Sequence, residues 1–303
     1  ILFWERGFKN MATRGQIERL TKQHKLSEGV LGIFNAESKK HDIKVGTVAK
    51  ATMQHLVEKY PNLKFRHRNS ISKKQINDSL KKIDDELGQT LFVDKARIEP
   101  DGGIIEVQDD NKNWRIVLVS EAKHQGNDIQ NIKNGILVGT KKDQDLMVAG
   151  NAIERSHKNI DEIANYMLSE TYFPYVIFLD GSNFITETLE VTRPDGRKVK
   201  LEYKDGSLNR LDRLTASNYG MPFNKNLCEN KFVAIDDRVI MLQAPSIYTT
   251  GNGEVWEAGN MLNIMIEISE TSLHSLARDI FNQITGKSDV EDEKEWEWFF
   301  KKC

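Results

Sequence analysis

At 303 residues with 39% hydrophobic content, and with no run near the roughly 18 to 20 apolar residues that span a bilayer, the sequence predicts a soluble protein built on one large domain. A net charge of -2, from 43 basic and 45 acidic residues, excludes a protein that coats nucleic acid indiscriminately but leaves site-specific DNA binding open, because phosphate neutralisation depends on where charge clusters. The two cysteines, Cys228 and Cys303, are too few and too far apart for a disulfide framework or a cysteine zinc site, and they point to free thiols in a reducing, cytoplasmic compartment.

In chain order, Ile1 to Asn10 precede Met11 and carry Phe3, Trp4 and Phe8 without any period, which reads as a leader or an upstream extension outside the fold. Helical periodicity runs over Val45 to Lys59. It returns over Ser72 to Leu87, where Ile76, Leu80, Ile83 and Leu87 recur at helical spacing, Ser72 and Gln75 form a capping box and Gly88 ends the helix. Ile104 to Val107 and Trp114 to Ser120 read as a hairpin turned by Asp109, Asp110 and Asn111. A long polar connection leads to a helix over Ala152 to Leu168, with Ile153, His157, Ile160, Ala164 and Met167 on one face. Phe173 to Leu179 is a continuous apolar run, as expected of a strand covered on both sides.

Strand, helix and strand in that order predict a crossover unit and an α/β fold, a mixed central sheet flanked by helices. A second hairpin is expected over Thr192 to Tyr203, with Pro194, Asp195 and Gly196 in the turn. Then follow a helix over Leu208 to Asn218, one or two strands over Lys231 to Gln243, a strand over Met261 to Ile268 and a closing helix over Ser272 to Ile284. Ser288 to Cys303, acidic and aromatic, reads as an appendage, so the expected domain is 11–287.

The chemistry centres on Pro100-Asp101 and, twenty residues further on, Glu121-Ala122-Lys123. Side chains alternate along a strand, so Glu121 and Lys123 share a face while Ala122 points into the core, and Asp101 can reach that face from the neighbouring strand. Two carboxylates and the main-chain carbonyl of Ala122 make a hard oxygen site suited to Mg²⁺. Lys123 is then placed to orient a water or to stabilise developing charge. The same residues also fit a solvent-facing strand end with an incidental ion pair.

Asp with Glu-x-Lys on adjacent strands resembles the PD-(D/E)xK nuclease motif. The segment from Asp143 through Met147, Gly150, Asn151, Ala152, Glu154 and Arg155 to Asn159 resembles the recognition segment of type II restriction endonucleases of the EcoRI family, and the similarity extends through most of Arg19 to Lys287. On residues alone, Gly150 permits a tight turn, Asn151 can cap a helix that opens with Ala152, and Asn151 with Glu154 also fits a plain capping pair. A helix start offers N–H groups to a phosphate or base edge, and asparagine can pair with the adenine edge in the major groove.

The resemblance assigns base reading to Met147, Asn151, Ala152, Glu154 and Arg155. It adds Arg210 and Arg213, three apart on the candidate helix opposite Leu208, Leu211 and Leu214, and places His124 and Gln125 beside the catalytic strand, Gln125 among the DNA-binding residues. The arginines could equally pair with Asp212 or Glu202. Arg66 and Arg68, alternating with Phe65 and His67, could touch the DNA backbone or form a solvated face. The resemblance further implies arms around DNA from Asn127 to Lys142 and from the Thr192 to Tyr203 hairpin, a homodimer on a GAATTC palindrome, 5′ overhangs, Mg²⁺ as cofactor and a cognate DNA methyltransferase in the same system.

Two positions depart from the family pattern. Val148 stands where the resemblance leads to alanine, which could crowd a base contact, and Glu99 where it leads to lysine, which puts negative charge beside the metal site. The alternatives to this reading are a repair or junction nuclease using the same motif and a non-catalytic DNA-binding protein. A methyltransferase is disfavoured, since neither a glycine-rich nucleotide loop after a strand nor an Asn-Pro-Pro-Tyr or Asp-Pro-Pro-Tyr motif is present.

Overall fold

The computed structural model describes residues 36–90, 95–136, 150–203 and 211–276. The chain divides into two compact units, Ile1–His41 and Asp42–Cys303. The described part of the first, residues 36–41, lies in the opening turns of helix α1, Ala36–Lys59. The second unit holds the remaining elements, in the order β1 (Phe65–Arg68), β2 (Ile71–Ser72), α2 (Lys73–Lys81), β3 (Arg97–Ile98), β4 (Gly103–Gln108), β5 (Trp114–His124), α3 (Asp128–Lys133), α4 (Gly150–Tyr166), β6 (Tyr175–Asp180), β7 (Leu189–Thr192), β8 (Lys198–Leu201), β9 (Lys231–Ile235), β10 (Arg238–Leu242), β11 (Ser246–Thr249) and α5 (Ala258–Ser275).

Five strands form the central sheet in the order β1-β4-β5-β6-β11. β4 runs antiparallel to both its neighbours, β1 and β5, whereas β6 lies parallel to both β5 and β11. The sheet is therefore mixed, as expected of a crossover fold, and α4 is the crossover between the parallel neighbours β5 and β6. Every residue of β6 is buried, so both faces are covered there, and the apolar run that forms it is what such a position requires. The covering helices pair off. Ser272 of α5 donates to the Val117 carbonyl of β5 and Lys59 of α1 pairs with Glu270 of α5, while Lys73 of α2 pairs with Glu162 of α4.

Three expected elements differ. α2 begins with the capping box of Ser72 and Gln75 but ends at Lys81, not at Gly88. The N–H groups of Ile83 and Asp84 both donate to the Leu80 carbonyl and the Asp84 carboxylate accepts from Glu86 N–H, so the chain turns and leaves Ile83 and Leu87 exposed. Met261 to Ile268 is not a strand but the middle of α5. Met261, Met265, Ile268, Ser269 and Ser272 are buried at helical spacing, and an apolar run of this length fits either period when read alone. The closing helix is thus α5, of which only Ser272–Ser275 overlaps the expected span.

β11, β2 and β3 are too short for a period to declare them. The two expected hairpins are present, β4 with β5 and β7 with β8, and the one or two strands expected over Lys231 to Gln243 are two, β9 and β10, paired as a third hairpin. α3 and the β7–β8 hairpin share a small apolar cluster of their own, Ile132, Ile185, Val191 and Leu201. Among the described residues no helix is long and apolar enough to cross a membrane, and Cys228 is a buried free thiol.

Candidate active site

Asp101 is carried by a tight turn rather than by a strand, which corrects the expected placement. Gly103 N–H donates to the Pro100 carbonyl at 2.9 Å, and Gly102 N–H donates to the Ser120 carbonyl of β5 at 2.9 Å. The turn is therefore stitched to the strand that carries Glu121 and Lys123. Gly102 is needed there for space, since a β-carbon on it would stand 2.1 Å from Ser120 Oγ and 2.7 Å from Val45 Cγ1 of α1.

Along β5 the alternation is the expected one. Ala122 is buried, and Glu121 and Lys123 meet on the other face. The Lys123 ammonium donates to three oxygens at once, Glu121 Oε1 at 2.6 Å, Asp101 Oδ2 at 2.8 Å and the Ala122 carbonyl at 2.8 Å. Asp101 Oδ2 also accepts from Ala122 N–H at 3.2 Å. The three oxygens assigned to a metal therefore already converge on one cation. Two carboxylates and a carbonyl gathered on a point charge are a donor set that fits a hard divalent ion.

The electrostatics follow from burial. Glu121 is almost fully buried, which pushes its carboxyl above the ordinary value, and Asp101 adds to the rise while Lys123 opposes it. Burial works against the Lys123 ammonium, but the Glu121 and Asp101 carboxylates outweigh it and hold the lysine pKa above normal. Glu121 has two further donors, Tyr175 Oη of β6 at 2.9 Å and Asn159 Nδ2 of α4 at 3.3 Å from each oxygen.

Sequence patterning missed Asn159 and Tyr175. A hydroxyl in the otherwise apolar buried run Phe173 to Leu179 is a signal, since a buried tyrosine needs a partner for its O–H. Asn159 carries no such mark. Asp42 was missed as well. It lies on α1 one turn before Val45 and Gly46, the residues that meet the Asp101–Gly102 turn. Burial first, then Asp101 and Glu121, raise its carboxyl to about 6, with Lys123 and His124 pulling the other way.

At the end of β5, His124 lies between Asp180, 2.7 Å from Nδ1, and Asn127, 2.8 Å from Nε2. This ties the start of α3 to β6. Gln125 follows, half-buried, its backbone held by Asp180 and Asn183 and its side-chain Oε1 buried without a hydrogen bond.

The expected recognition residues are placed in part. Met147 and Arg210 lie outside the described residues, and of Asn151, Ala152 and Glu154 only the backbone, in the first turns of α4, is described. Arg155 and Arg213 are exposed. The Arg213 carbonyl lies 2.6 Å from His157 Nε2, and Ile153, His157, Arg213 and Ala216 line one open groove. The two candidate recognition stretches are thus neighbours.

Arg66 and Arg68 do not offer a free basic edge. Both pair with Glu106, fully buried on β4, at 2.6 and 2.8 Å, and the Arg66 guanidinium stacks on Trp114. They neutralise a buried carboxylate, which would otherwise be too costly to keep.

Comparison with known proteins agrees with this geometry. Over 277 residues, 91% of this chain and the whole of the other, the sequence is 62% identical to the type II restriction enzyme EcoRI of Escherichia coli. Over 267 residues, 88% of this chain and 96% of the other, it is 50% identical to the type II restriction enzyme RsrI of Cereibacter sphaeroides. The family described as restriction endonuclease EcoRI matches residues 27–283. With the acidic pair, its lysine and the mixed sheet in place, the chain belongs to the EcoRI family of type II restriction endonucleases, enzymes that hydrolyse DNA.

Proposed function

We propose that the protein cuts double-stranded DNA at the palindrome GAATTC as a Mg²⁺-dependent homodimer, leaving 5′ overhangs, in a bacterial cytoplasm that also holds the matching methyltransferase. The observation that carries the catalytic part is the convergence of Asp101, Glu121 and the Ala122 carbonyl on one cation. In this reading these three groups would hold Mg²⁺, which would supply Lewis acidity to the scissile phosphodiester and to the attacking water.

Lys123, whose ammonium the facing carboxylates favour in the metal-free protein, orients the attacking water and stabilises charge on the phosphate. Glu121, whose carboxyl burial pushes above its ordinary value, is held in place by the donors that face it, Lys123, Tyr175 and Asn159. Met147, Asn151, Ala152, Glu154, Arg155, Arg210, Arg213 and Gln125 read the bases. Support for that set lies in the adjacency of the α4 start to the 211–216 segment and in the exposure of Arg155 and Arg213.

Two-fold symmetry of the site asks for two-fold symmetry of the protein. A surface suited to a second copy is the β9–β10 hairpin, whose Phe232 and Val239 are 54% and 69% exposed on one face while Ile235 and Ile240 are exposed on the other. Its base is pinned to the end of α4, with Gln243 Nε2 donating to the Ala164 and Met167 carbonyls and Asn230 Nδ2 to the Glu170 carbonyl. Exposed apolar residues in such number on one hairpin mark an interaction surface.

Digestion of plasmid DNA with and without Mg²⁺, followed by sequencing of the ends, tests the reading. Cuts confined to GAATTC with 5′ overhangs are expected. Ends scattered over non-palindromic or branched sites would indicate a repair or junction nuclease, and binding without any nicking a non-catalytic protein.

A further inference from the structure

Besides Lys123, the Glu121 carboxylate takes hydrogen bonds from Tyr175 and Asn159, which belong to different bodies of the fold. Tyr175 sits in β6, hydrogen-bonded to β5 all along the register that pairs Glu121 with Ile177. It moves only with the sheet. Asn159 sits on α4, about two and a half turns after the helix opens at Gly150.

An α-helix is stiff over that distance, so a shift of its first turn carries the Asn159 amide with it. At 3.3 Å from both carboxylate oxygens the amide is at the long end of hydrogen-bond range. A small displacement of α4 towards β5 strengthens both bonds, and a small displacement away loses them. Glu121 is almost fully buried, so water cannot take the place of the lost donor.

We propose that Asn159 is a positioning residue that ties the orientation of the Glu121 carboxylate to the seating of α4, so that the metal-binding oxygens are aligned best when the start of that helix is docked on its DNA site. The inference rests on the function proposed above and adds a division of labour to it. Tyr175 fixes the carboxylate to the sheet, and Asn159 reports the position of the recognition helix to it. A bridge of this kind makes cleavage more selective than binding, because a sequence that seats α4 poorly also leaves Glu121 poorly held.

The test uses the full chain as wild type and as Asn159→Ala, Asn159→Leu and Tyr175→Phe. For each, one measures Mg²⁺ affinity by calorimetry, metal-free binding to a cognate duplex, single-turnover cleavage of cognate and near-cognate duplexes, and the melting midpoint. Asn159→Ala should weaken Mg²⁺ binding and slow cognate cleavage by roughly 10- to 100-fold, as expected for loss of a partner of a metal ligand. Metal-free DNA binding and melting should stay close to wild type. Asn159→Leu, close in size but without a donor, should lose as much. Tyr175→Phe should slow cognate and near-cognate cleavage by the same factor, whereas Asn159→Ala should slow the cognate more and so narrow their ratio.

Wild-type Mg²⁺ affinity in Asn159→Leu would overturn the proposal. So would a loss of metal-free DNA binding as large as the loss of cleavage, which would make Asn159 a DNA contact. Equal effects of the Asn159 and Tyr175 variants on the near-cognate ratio would remove α4 from the argument. A wild-type protein that fails to cut with Mg²⁺ would instead count against the function proposed above, and the calorimetric comparison would still decide on Asn159.

Discussion

Gly102 and Ser120 pack so closely that no side chain fits between them. The β-carbon of any other residue at 102 would lie 2.1 Å from the serine hydroxyl and 3.0 Å from its Cβ. The contact sets the height of the turn above β5 and so the reach of Asp101 towards Lys123. Gly102→Ala should destabilise the fold by about 1–3 kcal/mol, the usual cost of overpacking, and should reduce cleavage by far more than that loss explains, because Asp101 is displaced. Urea denaturation together with cleavage rates at saturating Mg²⁺ gives both quantities. A variant that cuts at the wild-type rate would show that Asp101 tolerates the displacement.

Lys123→Ala removes the cation on which the three oxygens converge. Cleavage should disappear, while specific DNA binding in the absence of metal should persist, since no expected recognition residue is altered. Filter binding and a cleavage assay on the same preparation make the comparison. Retained Mg²⁺-dependent cutting would take Lys123 out of the mechanism.

Asp42 supplies a pH dependence. Its carboxyl titrates at about 6 in the folded protein against an ordinary 3.8, so the folded chain binds a proton between those values that the unfolded chain does not. Ionisation above pH 6 therefore costs stability, and the penalty fades as pH falls from about 6 towards 3.8. A neutral amide at this position has no charge to penalise. Asp42→Asn should melt above wild type at pH 8 in EDTA, and the gap should close by pH 4. Differential scanning calorimetry across that range checks the sign; a gap that widens on acidification would contradict it.

The β9–β10 hairpin predicts a loss of assembly. Val239→Lys puts a charge on the most exposed apolar residue of the hairpin and, if this surface meets a second copy, should shift the protein from dimer to monomer. The fold should be unaffected, because the side chain is already in water in the single chain. Sedimentation velocity at micromolar concentration reads the state, and an unchanged dimer would place the interface elsewhere.

These residues also show where the sequence was informative. Glu121, Ala122 and Lys123 were legible because strand alternation fixes which side chains share a face; Asp101 was legible from its spacing to them, but the turn that carries it was not, since it was expected on a strand. The strand expected over Met261 to Ile268 failed for the opposite reason. Six of its eight residues are apolar, so the short run reads as a strand as readily as a helix, and the exposed polar stripe of Asn260, Asn263, Glu267 and His274 shows only when the window extends past both ends. Asn159 and Asp42 were silent because both act across long sequence separations from helices whose periodicity reports only the apolar face. Arg66 and Arg68 looked available for phosphate because nothing local reveals that Glu106, forty residues away, is buried beneath them.

The small apolar cluster of Ile132, Ile185, Val191 and Leu201, separate from the main core, has a kinetic corollary. With few buried contacts of its own, the module formed by α3 and the β7–β8 hairpin is expected to open before the central sheet does, turning about the His124–Asn127 link that holds the start of α3 to β6. Its amides should exchange with deuterium well before those of β5 and β6.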